Sequence, residues 1–436
     1  MNTKHAVISR THLMIGEGRS VRKIALSEPC TTISDACDLA LAHKITHIWP
    51  MPDIEMYMGH GDDYNVFATY EDDENTRPMF ARVYRKGTYG EVKIGFPGRG
   101  RWEWQIDAPT DILASITYLE EVLGVPVEWS PGHMGTELVI HLNRTERRQA
   151  WVRECTIDLG ELPFKRAARD VVWKAGDVRF LKPGLYIHQV DKRSAYLSSC
   201  PGVYVGAGDP VHTIGPCDIS LVGVYRVTLK SMHVLFDGAE LPPIINTEWV
   251  TGDVLKYALD NGYEVEVHEA WQWNEKHKAL ESYAAKLWKS RRAFREDLVR
   301  FPHQIGRENA ESTMKQVALV STGKFAYKSA GRFKRPDWWA MVVGKTRTNV
   351  LRNMYSFYMK GWKSALVYSD SVYLVSDKPD IRDAFPGILD REKESGGYRH
   401  EGTWEITLAL IEAFKTMTPG AIQKLLEHTP KVEVQA

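Results

Sequence analysis

The sequence lacks several features that would assign it to a specialised class of protein. Its five cysteines form no Cys-x-x-Cys pair or ligand-like spacing, so we expect neither a disulfide framework nor a zinc site, and a reducing compartment fits. No apolar run approaches the length that spans a membrane, and the first residues contain no apolar segment typical of a secretory signal. These absences predict a soluble, cytoplasmic protein that does not bind membranes.

An overall excess of charge is missing as well. Lys and Arg number 56, and Asp and Glu also number 56, so the global charge predicts no partner and any electrostatic surface must be local. The apolar and charged fractions, 43% and 26%, are those of ordinary globular proteins. A chain of 436 residues is long enough for two or three domains with a substantial core.

One segment does concentrate charge of a single sign. Between residues 276 and 335 there are fifteen Lys or Arg residues against five Asp or Glu residues. Two stretches of this segment, 277–300 and 308–322, have helical patterns, the second closed by Gly323. Helical charges most often form a solvated face, but an excess of one sign attracts phosphates. The segment therefore predicts contact with a nucleic acid or a nucleotide.

Two strand-like stretches end in an aspartate. Residues 365–368 and 371–375 are β-branched and aromatic runs on either side of Ser369-Asp370, which predicts a tight hairpin with a carboxylate at its tip. A second strand ends at Asp191. A single aspartate in a turn is ordinarily turn chemistry. Two strand-end aspartates on one sheet, however, can hold divalent cations, as phosphoryl transfer by paired metal ions requires.

The N-terminal region offers a competing pair of carboxylates. Strands are predicted at 47–49, 65–70, 79–84, 91–96 and 102–106, followed by an amphipathic helix over 109–123. Asp53 and Glu55 form an Asp-x-Glu pair that would suit a nuclease. Such a site needs three or four converging carboxylates, and no further members are evident. Solvated loop carboxylates are the simpler interpretation of this pair.

Three motifs, in their order along the chain, resemble those of family B DNA polymerases, and the compact enzymes of phages and mobile elements more than the large cellular replicases. Asp191-Lys-Arg-Ser-Ala-Tyr196 is similar to the first palm motif, D-x-x-S-L-Y. Lys315 to Gly323, followed by Lys324-Phe325, is similar to the fingers motif, K-x-x-x-N-S-x-Y-G. Tyr368-Ser-Asp-Ser-Val-Tyr373 is similar to the second palm motif, D-T-D-S-I-Y. The resemblance covers roughly residues 180–412.

The resemblance implies an α+β fold in the form of a polymerase right hand. Its parts are a palm of antiparallel sheet with helices, helical fingers, a short thumb and an N-terminal α/β domain in the place of a proofreading exonuclease. The implied boundaries are 1–165 for the N-terminal domain, 180–275 and 331–412 for the two parts of the palm, 276–330 for the fingers and 413–436 for a vestigial thumb with a C-terminal helix. Because a credible carboxylate set is missing from the N-terminal domain, we interpret that domain as a degenerate or replaced exonuclease.

Site residues follow from the same resemblance. Asp191 and Asp370 would be catalytic and would bind two Mg²⁺ or Mn²⁺ ions, which suit hard carboxylate oxygens. Ser194 would cradle the triphosphate, and Tyr196 would pack beneath the sugar and favour deoxynucleotides. Lys315 would contact the triphosphate, with Arg291 or Arg292 as a second clamp and Gly323 in the same motif. The basic residues that follow would bind nucleic acid: Lys324, Lys328, Arg332, Lys334 and Arg335.

The chain departs from the family pattern at several positions. Tyr368 stands where the second palm motif has its first Asp, and the loss of that carboxylate would weaken metal affinity. Leu319, Val320 and Thr322 stand at the Asn, Ser and Tyr positions of the fingers motif, so an aromatic side chain near the nascent base pair is lost. We expect a short thumb, and therefore either low processivity or a partner that supplies the missing grip.

The function predicted from these residues is that of a template-directed DNA polymerase. It would transfer deoxynucleotides to a 3′-hydroxyl by two-metal-ion catalysis, in the replication of a phage or mobile element in a bacterial host cell. Its partners would be template and primer DNA, deoxynucleoside triphosphates and a priming or processivity protein. Two alternatives stay open: a catalytically decayed, polymerase-like DNA-binding replication protein, and a nuclease that uses Asp53 and Glu55.

Overall fold

The computed structural model describes most of the chain. The described residues are 4–17, 20–51, 62–70, 78–87, 91–95, 109–128, 130–145, 155, 157–231, 234–236, 240–326 and 334–433. The chain divides into two compact units. The first comprises Met1–Leu142 with Ala285–Lys324, and the second comprises Asn143–Ala284 with Phe325–Ala436.

Helices and strands alternate irregularly along both units. The helices of the described residues are α1 (Ile33–Ala42), α2 (Pro109–Leu123), α3 (Pro131–Thr145), α4 (Phe164–Ala167), α5 (Ala195–Ser199), α6 (Gly252–Asp260), α7 (Glu281–Glu296), α8 (Gln304–Lys324), α9 (Pro336–Met359), α10 (Ile381–Ala384), α11 (Leu408–Thr416) and α12 (Pro419–Glu427). The strands of the described residues are β1 (His5–Ile8), β2 (His12–Glu17), β3 (Ser20–Ala25), β4 (His47–Pro50), β5 (Tyr64–Tyr70), β6 (Pro78–Arg85), β7 (Glu91–Gly95), β8 (Val172–Lys174), β9 (Tyr186–Lys192), β10 (Val205–Gly206), β11 (Val211–Ile214), β12 (Val222–Ser231), β13 (Trp249–Thr251), β14 (Glu264–Trp273), β15 (Lys276–His277), β16 (Lys363–Tyr368), β17 (Ser371–Ser376) and β18 (Tyr398–Glu405). Among the described residues, no helix combines the length and apolar character that crossing a bilayer requires.

The first unit is built on a mixed seven-stranded sheet with the order β3-β2-β1-β4-β7-β6-β5. The β1–β4 and β4–β7 pairs are parallel and the other pairs are antiparallel. All four residues of β1 are buried, which is typical of a central strand covered on both faces. Helix α1 begins at a capping box in which Thr32 and Asp35 exchange hydrogen bonds, and it packs against the sheet beside Ile8 and Ile48.

Helices α2 and α8 pack closely against each other in the same unit. The contact depends on Gly306, since a Cβ at that position would lie 2.8 Å from the Cβ of Ala114. The Ser115 hydroxyl donates a hydrogen bond to the Gly306 carbonyl at 3.0 Å, so a buried polar group of α2 is satisfied by the backbone of α8. The rings of Tyr118 and Phe301 meet at a centroid distance of 5.0 Å.

The second unit contains a five-stranded antiparallel sheet with the order β18-β9-β17-β16-β8. Because successive side chains of a strand point to opposite faces, Ile187 and Tyr373 enter one core together with Trp404, whereas Val190 and Val372 enter another. Helix α9 supports the second of these cores, and Pro336 in its first turn removes no intrahelical hydrogen bond. Smaller sheets, β11-β14-β12-β13 and β10-β15, complete the unit.

The sequence predicted the elements of the second unit better than those of the first. The hairpin at Ser369-Asp370 is confirmed, since Tyr368 pairs with Ser371 across a two-residue turn. The predicted helix 109–123 is α2, but β1, β2 and β3 were not predicted. Helix α8 continues to Lys324 because Gly323 keeps a helical backbone. The predicted strand 102–106 lies outside the described residues.

Candidate functional site

The two strand-end aspartates are neighbours on the five-stranded sheet. Asp191 is the penultimate residue of β9, and Asp370 lies in the turn between β16 and β17. The antiparallel register pairs Ser371 directly with Asp191. The backbone N–H of Lys192 donates to the carbonyl oxygen of Asp370 at 3.3 Å. Two carboxylates that are far apart in the sequence are therefore brought to one edge of the same sheet.

The electrostatics of this pair are unfavourable without a cation. Burial, together with the negative charges of Asp191 and Asp170, raises the pKa of Asp370 to about 6. The Asp191 carboxylate accepts a hydrogen bond from the Ser371 hydroxyl at 2.8 Å and meets the Arg399 guanidinium at 3.4 Å. Ser371 therefore orients Asp191, and the repulsion between the two carboxylates appears as the raised pKa of Asp370.

A network of hydrogen bonds through hydroxyl groups holds the Ser369-Asp370 turn in place. The Tyr196 hydroxyl donates to Asp170 Oδ1 at 2.8 Å and shares a hydrogen bond with the Ser369 hydroxyl at 3.2 Å. The N–H of Ser369 donates to the carbonyl oxygen of Val171 at 2.8 Å. The buried Arg347 guanidinium donates to the carbonyl oxygen of Asp170 at 3.0 Å. Helix α5 and the Ser369-Asp370 turn are therefore both fixed to the segment that leads into β8.

Two residues of this site adopt a left-handed backbone conformation that is unusual for side chains other than glycine. Ser194, which precedes α5, has a φ of 52°, and Ser369 has a φ of 58°. Among the described residues, Lys44 is the other non-glycine residue with a positive φ. Such strain persists where the surrounding structure imposes it, and it clusters at functional sites. The strain coincides here with the two backbone segments that carry Tyr196 and Asp370.

The carboxylates suit a divalent cation, but the set is small. In the parts of the chain that the structure describes, no group of three or more His, Cys, Asp or Glu side chains converges as a metal cluster. The fit therefore rests on Asp191 and Asp370, whose mutual repulsion a cation would relieve. Asp170 is engaged by Tyr196. Glu405 pairs in register with Tyr186, so it lies about 16 Å along β9 from Asp191 and is not a third ligand.

The predicted nucleotide-binding residues of the basic segment lie on helices of the first unit. The Arg291 guanidinium is mostly buried and forms an ion pair with Glu311 at 3.3 Å. Arg292 is exposed and pairs with Glu296 one turn further along α7. Lys315 is exposed on α8, and Gly323 lies near the end of that helix. The contacts of these residues with a nucleotide stay predictions.

The predicted nucleic-acid-binding residues have different surroundings. Lys324 packs its side chain against Gly132, and Lys334 pairs with Asp158 at 2.6 Å. Arg335 is only 4% exposed, is held by Asp337 and donates to the carbonyl oxygen of Gly206 at 2.8 Å. That burial removes Arg335 from the set that can meet a nucleic acid. The remaining predicted residues Lys328 and Arg332, and the carboxylates Asp53 and Glu55, lie outside the described residues.

Sequence reasoning missed two side chains that contact the site. Asp170 lies between the predicted N-terminal domain, 1–165, and the first part of the palm, 180–275, and no motif marks it; only the strand that starts two residues later is a signal. Arg399 meets Asp191 because β18 pairs with β9, opposite Asp191 in register. Strand pairing of this kind is a long-range property that periodicity along one strand does not reveal.

Comparison with known proteins supports the fold through structure and not through sequence. No family model and no curated protein matches the sequence. The structure is similar to phi29 DNA polymerase complexed with primer-template DNA in a post-translocation binary complex, with a TM-score of 0.54 and 11% identity over 92% of this chain and 85% of that chain. It is also similar to the ternary complex of that polymerase with primer-template DNA and incoming nucleotides (TM-score 0.54, 11% identity, 92% and 84% covered), and to its complex with single-stranded DNA (TM-score 0.52, 12% identity, 92% and 85% covered). The chain therefore has a DNA polymerase fold.

Proposed function

We propose that this chain is a template-directed DNA polymerase that adds deoxynucleotides to a primer 3′-hydroxyl. The observation that carries the proposal is the pairing of Ser371 with Asp191, which brings two partly buried carboxylates to the same end of neighbouring strands. The fold similarity supports it, because the phi29 enzyme was captured with primer-template DNA and incoming nucleotides. A role in the replication of a phage or mobile element is part of the same proposal.

Asp191 and Asp370 are the residues that would hold two Mg²⁺ or Mn²⁺ ions. When bound, such ions favour ionisation of a hydroxyl nucleophile and neutralise phosphate charge. Asp370 must lose its proton to act as a ligand, and its raised pKa makes that step sensitive to pH near 6. Ser371 keeps one oxygen of Asp191 occupied and thereby fixes the direction of the other.

Tyr196 is proposed to select the sugar. Its hydroxyl is held by Asp170 and Ser369, so the ring cannot swing away when a nucleotide enters. A rigid ring beneath the sugar would crowd or desolvate a 2′-hydroxyl and would leave a deoxyribose undisturbed. In this proposal Asp170 is a positioning residue that acts through Tyr196. Ser194 would contact the triphosphate.

The triphosphate clamp is assigned to the exposed cations of α7 and α8. Lys315 is exposed, and Arg292 forms only a solvent-exposed ion pair, which costs little to open. Arg291 would have to leave the partly buried carboxylate of Glu311 before it could bind a phosphate. We therefore assign the clamp to Lys315 and Arg292 in preference to Arg291.

Primer extension with purified protein tests the proposal. Wild-type chain with Mg²⁺ or Mn²⁺ is expected to extend a primed template, and Asp191→Asn and Asp370→Asn are each expected to lose on the order of 10²–10³ in rate, as for removal of a group that stabilises transition-state charge. Glu405→Gln is the matched control, because it neutralises a carboxylate at the far end of the same sheet. Extension that survives in both aspartate variants would refute the proposal.

A second candidate function is that of a polymerase-like DNA-binding protein without catalysis. Tyr368 favours this candidate, because it stands where the second palm motif has its first carboxylate. Its ring packs against the start of α12, where a Cβ added to Gly420 would lie 3.2 Å from it. The contact between Arg399 and Asp191 favours it as well, since the guanidinium satisfies charge that a cation would otherwise take. Salt-dependent DNA binding without extension under either metal would support this candidate.

A further inference from the structure

The outer face of the β5–β6 hairpin carries an exposed aromatic side chain beside a cation. Antiparallel pairing puts Phe67 opposite Arg82 and Asn65 opposite Tyr84. Because side chains alternate along a strand, Val83 is buried in the core whereas Phe67 is 57% exposed. The solvent face of a sheet ordinarily carries polar residues. We call Asn65, Phe67, Arg82 and Tyr84 the Phe67 face.

The aromatic rings of the Phe67 face are already fixed in place. Phe67 and Tyr84 meet edge to face, with centroids 5.9 Å apart and planes at 87°. The Arg82 guanidinium lies 5.9 Å from the centroid of the Phe67 ring. The Tyr84 hydroxyl donates to Glu91 at 2.9 Å, which holds the second ring. A ligand that stacks on Phe67 would therefore lose little affinity to the ordering of side chains.

The surroundings of the Phe67 face are positively charged. Arg82, Arg85 and Lys86 line one open groove of about 600 Å³, and none of the residues that line it is acidic. Asp38 offsets Arg85 through an ion pair at 3.2 Å. Within the described residues, neither Arg82 nor Lys86 has a carboxylate within ion-pair distance. This local charge contrasts with the zero net charge of the whole chain.

We propose that the Phe67 face binds single-stranded DNA, with a base stacked on Phe67 and phosphates near Arg82 and Lys86. Aromatic side chains interleaved with cations along an open groove are the general means by which proteins hold unpaired strands. A duplex would not fit this role, because its base faces are stacked on each other. A protein partner is disfavoured, because one ring rimmed by cations offers little contiguous apolar area.

The choice of DNA over RNA rests on the proposed function, whereas the binding of an unpaired strand does not. A template-directed polymerase always meets the unpaired part of its template, and that strand supplies both bases to stack and phosphates to neutralise. The face binds without reading sequence, since every base has a π face and stacking on Phe67 does not distinguish one base from another.

Fluorescence anisotropy of the full chain with a fluorescein-labelled oligo-dT strand of about twenty nucleotides tests the affinity, without nucleotides present. Phe67→Ala is expected to weaken binding roughly tenfold, as for loss of one stacked base, and Phe67→Trp to retain it. Val21→Ala, an exposed apolar residue on β3 of the same sheet, is the control and should bind like wild type. Arg82→Gln should reduce the slope of log affinity against log salt by about 0.7, as for one lost phosphate contact on a single strand.

Photo-crosslinking with a strand that contains 5-iododeoxyuridine locates the contact. Crosslinks to peptides that contain Phe67 or Tyr84 are expected. Crosslinks confined to other peptides, together with unchanged affinity in Phe67→Ala, would overturn the inference, as would tighter binding of the matched RNA strand. Because the assay needs no catalysis, binding that depends on Phe67 in a chain that extends no primer would uphold this inference and count only against the proposed function.

Discussion

Asp370 is the residue at which stability and function make opposite demands. Its carboxyl is partly buried near the negative charges of Asp191 and Asp170, and its pKa is raised to about 6. A group whose pKa is higher in the folded state stabilises the fold fully below its unfolded value, 3.8, and that stabilisation is lost as the pH rises through about 6. The ionised Asp370 carboxylate therefore lowers the free energy of unfolding of the metal-free protein most at neutral and alkaline pH, where a cation can bind it.

Substitution of Asp370 by Asn should expose this cost. In EDTA at pH 8 the variant should unfold at a higher temperature than wild type, by roughly 1–2 °C for each kcal/mol recovered, because the partly buried negative charge is gone. The difference should shrink through pH 6 and vanish near pH 4, where the wild-type carboxyl is protonated in the folded state. Differential scanning calorimetry across this range checks the prediction, and a difference that does not vary with pH would contradict it.

Asp170 should act on nucleotide selection through Tyr196. Asp170→Ala frees the Tyr196 ring, and we expect activity to fall about 10–100-fold, as for loss of a group that orients a functional side chain, with a larger loss in discrimination against ribonucleotides. Asp170→Asn keeps an oxygen for the Tyr196 hydroxyl but removes the charge near Asp370. Discrimination should then be retained while the acidic limb of the pH–rate profile moves to lower pH.

A double-mutant cycle separates this role from simple packing. Tyr196→Phe removes the same hydrogen bond from the other side, so the effects of Asp170→Ala and Tyr196→Phe on ribonucleotide discrimination should not add. Additive effects, or a pH profile that Asp170→Asn leaves unmoved, would show that Asp170 supports the fold without positioning Tyr196.

At the scale of elements, two helical glycines test the packing in opposite directions. A Cβ at Gly344 in α9 would lie 2.0 Å from Thr251 Oγ1, whereas a Cβ at Gly323 in α8 meets nothing within 4 Å. Gly344→Ala should therefore destabilise the protein by about 1–3 kcal/mol through overpacking. Gly323→Ala should stabilise it by about 0.5 kcal/mol, because alanine loses less backbone entropy in a helix. Urea unfolding of both variants measures the two effects.

The Gly323 variant also separates stability from function. If Gly323 takes part in nucleotide binding, as the resemblance implies, Gly323→Ala should lower primer extension while it raises the free energy of unfolding. Equal or higher activity in the stabilised variant would show that Gly323 has no part in nucleotide binding.

The sequence predicted elements where local pattern and tertiary structure agree. The β16–β17 hairpin has β-branched strands and a two-residue turn, and the register then places Asp370 by geometry alone. The end of α8 was misplaced, because Gly323 was taken as a stop although packing tolerates it in the helix. The predicted role of Arg335 failed because a guanidinium can be buried when Asp337 and a carbonyl satisfy it. The role of Asp170 could not be predicted from the sequence, since its hydrogen-bond partner Tyr196 is distant along the chain.

At the scale of the whole molecule, net charge and function are decoupled. The chain has zero net charge, yet segment 276–335 carries an excess of cations and the Phe67 face has its own. Binding to DNA should then depend on local cations and weaken steeply with salt, in spite of a pI of about 7.3. The fold similarity extends over 92% of the chain, so both units belong to the polymerase-like architecture, whereas the identity of 11% carries no information on catalysis.

The central claim is that Asp191 and Asp370 together hold divalent cations, and equilibrium binding of Mn²⁺ followed by electron paramagnetic resonance tests it most directly. At pH 8 the wild-type chain and Glu405→Gln should bind Mn²⁺ alike, and both should release it as the pH falls through about 6. Asp191→Asn and Asp370→Asn should each weaken binding at least about tenfold, more than loss of a group that merely orients a ligand would. Mn²⁺ binding that is unchanged in both aspartate variants would contradict the account.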